Sequence, residues 1–114
     1  MKKGIANPAG RAKRYARLRK QLGQIRWISQ GYVQDRGPGA GGPCYQWTRK
    51  DKGKTLSVAL SQEQYHWMKG AIENWKQVQN ILKEMQQISR SELFEIIPGP
   101  VRRKHLSQKV LGIK

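Results

Sequence analysis

Acidic residues are scarce in this chain: 7 Asp and Glu stand against 23 Lys and Arg in 114 residues, a formal charge of +16. The first implication is an anionic partner. Cysteine is reduced to Cys44, which excludes an internal disulfide and reads as a small strand residue rather than a reactive thiol. With that cysteine alone, His66 in a helix and His105 in the tail, no ligand set has metal-like spacing. No run of 18 apolar residues occurs, and the start lacks an apolar signal region. The expectation is a cytoplasmic protein, associated with nucleoid or ribonucleoprotein, with no membrane partner.

Catalytic constellations are missing as well. Asp35 and Asp51 fall on connections and the glutamates are spread along a helix, so no carboxylate pair is set up for acid–base work. The glycine-rich stretch 37–43 lacks the Gly-Lys-Ser/Thr ending of a phosphate loop and is followed by no helix. His66, between Tyr65 and Trp67, reads as a packed or surface histidine. The expectation is a protein that is not an enzyme and carries no cofactor.

The strongest pattern lies in residues 43–89. Tyr45 and Trp47 alternate with Cys44, Gln46 and Thr48, and Leu56, Val58 and Leu60 alternate with Thr55, Ser57 and Ala59. Period-two alternation predicts a half-buried hairpin, with Gly53 taking the positive φ of a three- to five-residue loop. Ser61 and Gln64 have the spacing of a capping box, and Glu63 suits a first helical turn. Met68, Ala71, Ile72, Trp75, Val78, Leu82 and Met85 recur at threes and fours, and no proline follows until Pro98. One helix from Ser61 to about residue 90 or 93 is predicted.

Asn7-Pro8 predicts the start of a second, basic helix reaching about Leu22, with Tyr15, Leu18, Leu22 and Ile25 on one stripe and Gly23 ending it. Segments 25–28 and 32–36 suggest an extended pair or a single bent strand broken at Gly31, adding a third strand beside the hairpin, and 37–43 reads as a flexible connection. The fold class is therefore α+β: a small antiparallel sheet of two or three strands packed on one long helix, preceded by a basic helix and flanked by basic tails. The organisation is a basic tail and helix at 1–23, sheet and long helix at 24–94, and a basic tail at 95–114.

Length indicates a packing problem. Strands of seven residues span roughly 23 Å and a helix of 28 residues roughly 42 Å. Tyr65, Met68, Ile72 and Trp75 are expected on Tyr45, Trp47, Leu56 and Val58. Val78, Ile81, Leu82, Met85 and Ile88 then need cover from the basic helix or from a second copy in a homodimer. Lys69, Lys76, Lys83 and Arg90 recur at seven-residue steps, a stripe that reads as a solvated face, with contact along a phosphate backbone as the alternative.

The long helix is nearly balanced, so the excess of positive charge sits outside it. The candidate nucleic-acid contacts are Arg11, Lys13, Arg14, Arg17, Arg19, Lys20 and Arg26 at the N-terminal end. Arg36, Arg49, Lys50, Lys52 and Lys54 lie in and near the hairpin, and Arg102, Arg103 and Lys104 in the tail. The hairpin face bearing Gln46, Thr48, Thr55 and Ser57 would offer short hydrogen-bonding groups framed by cations, as two-stranded ribbons do in a DNA groove. In an RNA reading, Tyr32 or Trp27 would stack on an unpaired base, the competing reading for both being a place in the core.

The string Gly42-Pro43-Cys44-Tyr45-Gln46-Trp47-Thr48-Arg49-Lys50, with Gly53-Lys54-Thr55 and Leu60-Ser61-x-Glu63-Gln64-Tyr65, resembles a family of small uncharacterised prokaryotic proteins found beside or inside mobile elements. The resemblance spans about residues 25–103 and includes Ile72-Glu73-Asn74, Ser89, Leu93-Phe94 and Pro98-Gly99. Members often carry a cysteine knuckle and a His-Gly-Pro-Tyr string. Here Gly41 and Cys44 stand at the histidine and tyrosine positions, so the chain is similar to a branch without metal. The resemblance implies a transposon-associated or other mobile-element setting and transfers no activity. The expected function is a non-catalytic nucleic-acid-binding accessory subunit of a mobile-element ribonucleoprotein or recombination complex, RNA slightly ahead of DNA. The alternative is an adaptor that binds a transposase or recombinase through the exposed half of the long helix.

Overall fold

The computed structural model describes residues 8–39, 42–101 and 107–112. In chain order the elements are α1 (Pro8–Gln24), β1 (Tyr32–Gly39), β2 (Gly42–Asp51), β3 (Lys54–Leu60), α2 (Gln62–Ile96) and the short α3 (Gln108–Leu111). The three strands form one antiparallel sheet in the order β1-β2-β3. The α+β class is as expected, with three strands rather than two. The chain divides into two compact units. One holds Ile25–Val78, and the other holds Met1–Gln24 with Gln79–Lys114, so the division falls inside α2.

In the sheet unit, Trp47 pairs with Val33 and Val58, and Thr48 with Tyr32 and Ser57. The hairpin loop is tighter than the spacing suggests. Asp51 pairs with Lys54, leaving a two-residue turn in which Lys52 (φ 50°) and Gly53 (φ 82°) are both left-handed. That backbone matches the strand twist, at the cost of holding a lysine where asparagine or glycine is favoured.

Of the stretch 37–43 expected to be a flexible connection, residues 37–39 and 42–43 are strand, and 40–41 lie outside the described residues. β1 runs on to Gly39, past a bulge between Asp35 and Pro38 where Asp35 Oδ1 accepts from the Gly37 N–H and Gly37 takes φ 76°. The Asp side chain and the left-handed glycine absorb the extra residue, so pairing resumes at Pro38 and Pro43.

Residues 25–30 do not join the ladder. The chain turns at Gly31 (φ 101°), and a Cβ there would stand 2.5 Å from Trp47 Nε1 and 2.6 Å from the Thr48 carbonyl oxygen. Gly31→Ala is expected to cost about 3 kcal/mol in denaturant unfolding, because backbone must move as well as side chain. Gly53→Ala, with nothing within 4 Å of the added Cβ, is expected to cost only the left-handed penalty of about 1–2 kcal/mol.

The long helix opens on the predicted box: Ser61 Oγ accepts from the Gln64 N–H at 3.1 Å, and Gln64 Oε1 accepts from the Ser61 N–H at 2.9 Å. It ends at Ile96, a turn later than expected, just before Pro98. Tyr45 and Tyr65 meet at 4.9 Å, while Ala71, Ile72 and Val78 are buried. Leu56 and Val58 depart from expectation: they are exposed, as is nearly all of β3. Among the described residues the buried positions of this unit are Thr48 on β2 and Ala71, Ile72 and Val78 on α2, and β3 is its open edge.

In the other unit, α1 covers part of the second half of α2, and Leu82 stays exposed. Leu18, Ile81 and Ile88 are buried there. Arg11 reaches Glu92 and Glu95, while Arg14, one turn later, reaches Glu84, so the two helices run antiparallel. Beyond α2, Ser107 caps α3, and the Gly112 carbonyl accepts from Arg90 Nη1 at 3.3 Å. Among the described residues no helix is long and apolar enough to cross a membrane.

Candidate nucleic-acid interface

α1 sorts its cations by helical geometry. Arg11, Tyr15, Leu18 and Leu22 follow one another at steps of four, three and four, which makes them one stripe. Leu18 is 5% exposed and Arg11 only 1%. The Arg11 guanidinium donates through Nε to Glu92 at 3.1 Å and through Nη1 to Glu95 at 3.2 Å. This corrects the expectation for Arg11: it belongs to the helix seam and does not face a polyanion. Arg14 is exposed but shares its charge with Glu84.

Lys13, Arg17 and Lys20 each lie two residues beyond a seam residue, about 200° round the helix, so they form a stripe opposite the buried side. All three are exposed, and among the described residues no carboxylate stands within ion-pair distance of them. Arg19 is exposed too, but at the seam's margin, beside Tyr15, Leu22 and Met85 in a shallow groove. The cations of α1 therefore split into a structural pair and a solvent-facing set.

No protein-family model, curated protein or solved structure matches this chain.

In the sheet unit the hairpin tip gathers Lys50, Lys52 and Lys54, all exposed, with Asp51 opposite Lys54 in the ladder. Arg26 and Arg36 are also exposed, and Arg36 donates to Gln46 Oε1 at 3.2 Å. Arg49 is half-buried, its guanidinium carbon 5.7 Å from the centre of the Trp47 ring, a cation–π contact that anchors it to the sheet. The polar face is narrower than the alternation suggests. Thr48 is buried, with its hydroxyl 3.2 Å from that of Ser57, and Gln46 Oε1 is taken by Arg36, so the Gln46 amide N–H groups and Thr55 carry the remaining hydrogen-bonding capacity of that side. Arg102, Arg103 and Lys104 lie outside the described residues.

Among the described residues no three His, Cys, Asp or Glu side chains come together to hold a metal ion. Trp67 is a surface residue that the sequence conceals, since a tryptophan amid helix-spaced apolar positions reads as core. It is 55% exposed and touches Trp27, itself 64% exposed, at 6.3 Å between ring centroids.

Proposed function

We propose that this chain is a non-catalytic nucleic-acid-binding protein, an accessory subunit of a mobile-element ribonucleoprotein or recombination complex that engages RNA in preference to DNA. The observation that carries this reading is the stripe of Lys13, Arg17 and Lys20, exposed on the side of α1 away from its buried seam and without a carboxylate beside it. Keeping such cations adjacent costs self-repulsion, which a polyphosphate relieves. The hairpin tip supplies a second cationic cluster, with a lysine in the strained left-handed position. Basic segments at both chain ends suit the irregular surface of a folded RNA better than a single groove.

Purification from the native host without nuclease, followed by sequencing of the nucleic acid that accompanies the protein, tests this directly. Enrichment of a discrete RNA is the expected result. Enrichment of neither RNA nor DNA over a mock purification counts against it.

The adaptor reading keeps one supporting observation. Ile81 and Ile88 are buried, so the second half of the helix is largely covered, but Leu93, Ile96 and Ile97 remain 44–56% exposed at the end of α2. A protein partner would have to be captured there.

A further inference from the structure

Two of the four tryptophans stand largely in water, and they stand together. Rings of that size normally bury most of their area, so their exposure calls for a cause. Their placement is built by hydrogen bonds. Trp67, Ala71 and Asn74 follow one another on α2 at steps of four and three, on one side of the helix. The Ala71 carbonyl accepts from the Ser29 N–H at 3.2 Å, Asn74 Nδ2 donates to the Trp27 carbonyl at 2.9 Å, and Trp47 Nε1 donates to the Gln30 carbonyl at 3.0 Å. Residues 27–30 are thereby tied to both helix and sheet, and the Trp27 ring is set beside that of Trp67.

A second observation concerns the ground next to the rings. Gly70 lies one turn beyond Trp67 on the same side of α2, and nothing stands within 4 Å of the Cβ it lacks. Glycine weakens a helix interior relative to alanine, and no neighbour demands it here. Its effect is to leave the surface beside Trp67 clear. Arg26, the residue before Trp27, is exposed and shares a shallow depression with Trp27 and Ile28. An open aromatic surface with a guanidinium at its margin has the chemistry of a base and its adjoining phosphate.

We infer that Trp27 and Trp67 form a stacking platform for unpaired bases of RNA, with Arg26 on the neighbouring phosphate. This rests on the nucleic-acid reading above and specifies the form recognised. Bases inside a duplex are already stacked on one another, whereas RNA loops and single strands offer free faces that aromatic rings take without regard to sequence. Each ring is worth roughly 5- to 150-fold in affinity.

The test uses the full chain with oligouridylate, oligodeoxythymidylate and an RNA duplex, followed by fluorescence anisotropy and by tryptophan emission. Oligouridylate is expected to quench the emission. Trp27→Ala and Trp67→Ala should each weaken its binding roughly 5- to 150-fold, with the salt dependence and the duplex affinity unchanged, while Trp27→Phe retains most of the affinity. Circular dichroism and melting of each variant establish that it folds. If the wild type binds oligouridylate and both alanine variants bind it equally well, the platform is overturned and the nucleic-acid reading stands. Equal losses on the duplex, or tighter binding of the deoxy strand, also overturn it, and a wild type that ignores all three probes overturns both readings together.

Discussion

Replacing Lys13, Arg17 and Lys20 together by alanine is expected to weaken RNA binding roughly a hundredfold at 0.1 M salt and to flatten the slope of log K against log salt by about 2 to 2.7, or about 0.7 to 0.9 for each phosphate that the stripe neutralises. The three side chains point away from the seam and have no carboxylate beside them among the described residues, so their charge is available to a partner. Alanine is also the best helix former, so α1 should fold at least as well without them. A drop in affinity can then be assigned to charge. Arg14→Ala is the internal control: Glu84 already neutralises that guanidinium, and the slope should hardly move. Equal flattening by both variants would mean that net charge, not the stripe, governs binding.

Arg11→Ala should do the opposite, leaving the salt slope in place while lowering stability by about 2–3 kcal/mol in denaturant unfolding. The side chain is 1% exposed and holds two carboxylates from the end of α2, so the substitution removes both its packing and its ion pairs. Glu92 and Glu95 are 52% and 44% exposed and regain water once released, which keeps the cost below that of stranding a buried charge. Glu92→Gln combined with Glu95→Gln is the harsher change, since it keeps the guanidinium buried and removes its two carboxylate partners; about 3–5 kcal/mol is expected. If Arg11→Ala melts like the wild type and flattens the slope, Arg11 binds phosphate after all.

Arg11 also marks where the sequence holds more than its charge suggests. The stripe of Tyr15, Leu18 and Leu22 is visible in the spacing, and one more step of four toward the N-terminus lands on Arg11. A charged residue on an apolar stripe is the usual sign of a buried ion pair. Its partners are harder to find, because Glu84, Glu92 and Glu95 follow Ile81 and Ile88 on α2 only once the pairing of the two helices is known. The capping box at Ser61 and Gln64 is fully legible, being a local interaction between residues three apart. Gly31 is recognisable as a break, but its steric reason is Trp47, sixteen residues away.

The exposure of Leu56 and Val58 is not legible for a related reason. Alternation marks which residues share a face of a strand, and says nothing of whether the sheet's edge reaches past whatever covers its centre. Trp27 and Trp67 belong to the same class. Composition assigns tryptophan to a core, and only the hydrogen bonds from Ser29, Asn74 and Trp47 keep residues 27–30 where the two rings stay wet.

The central claim is that the unneutralised cations of this chain engage a polyphosphate. Its most direct test is the affinity of the purified full chain for a labelled structured RNA and a labelled DNA duplex of equal length, measured from low to physiological salt. Tight binding that falls steeply and linearly on a double-logarithmic plot, with the RNA ahead of the DNA, is the predicted result. Absence of binding to either polymer at low salt, where electrostatic attraction is strongest, would contradict it.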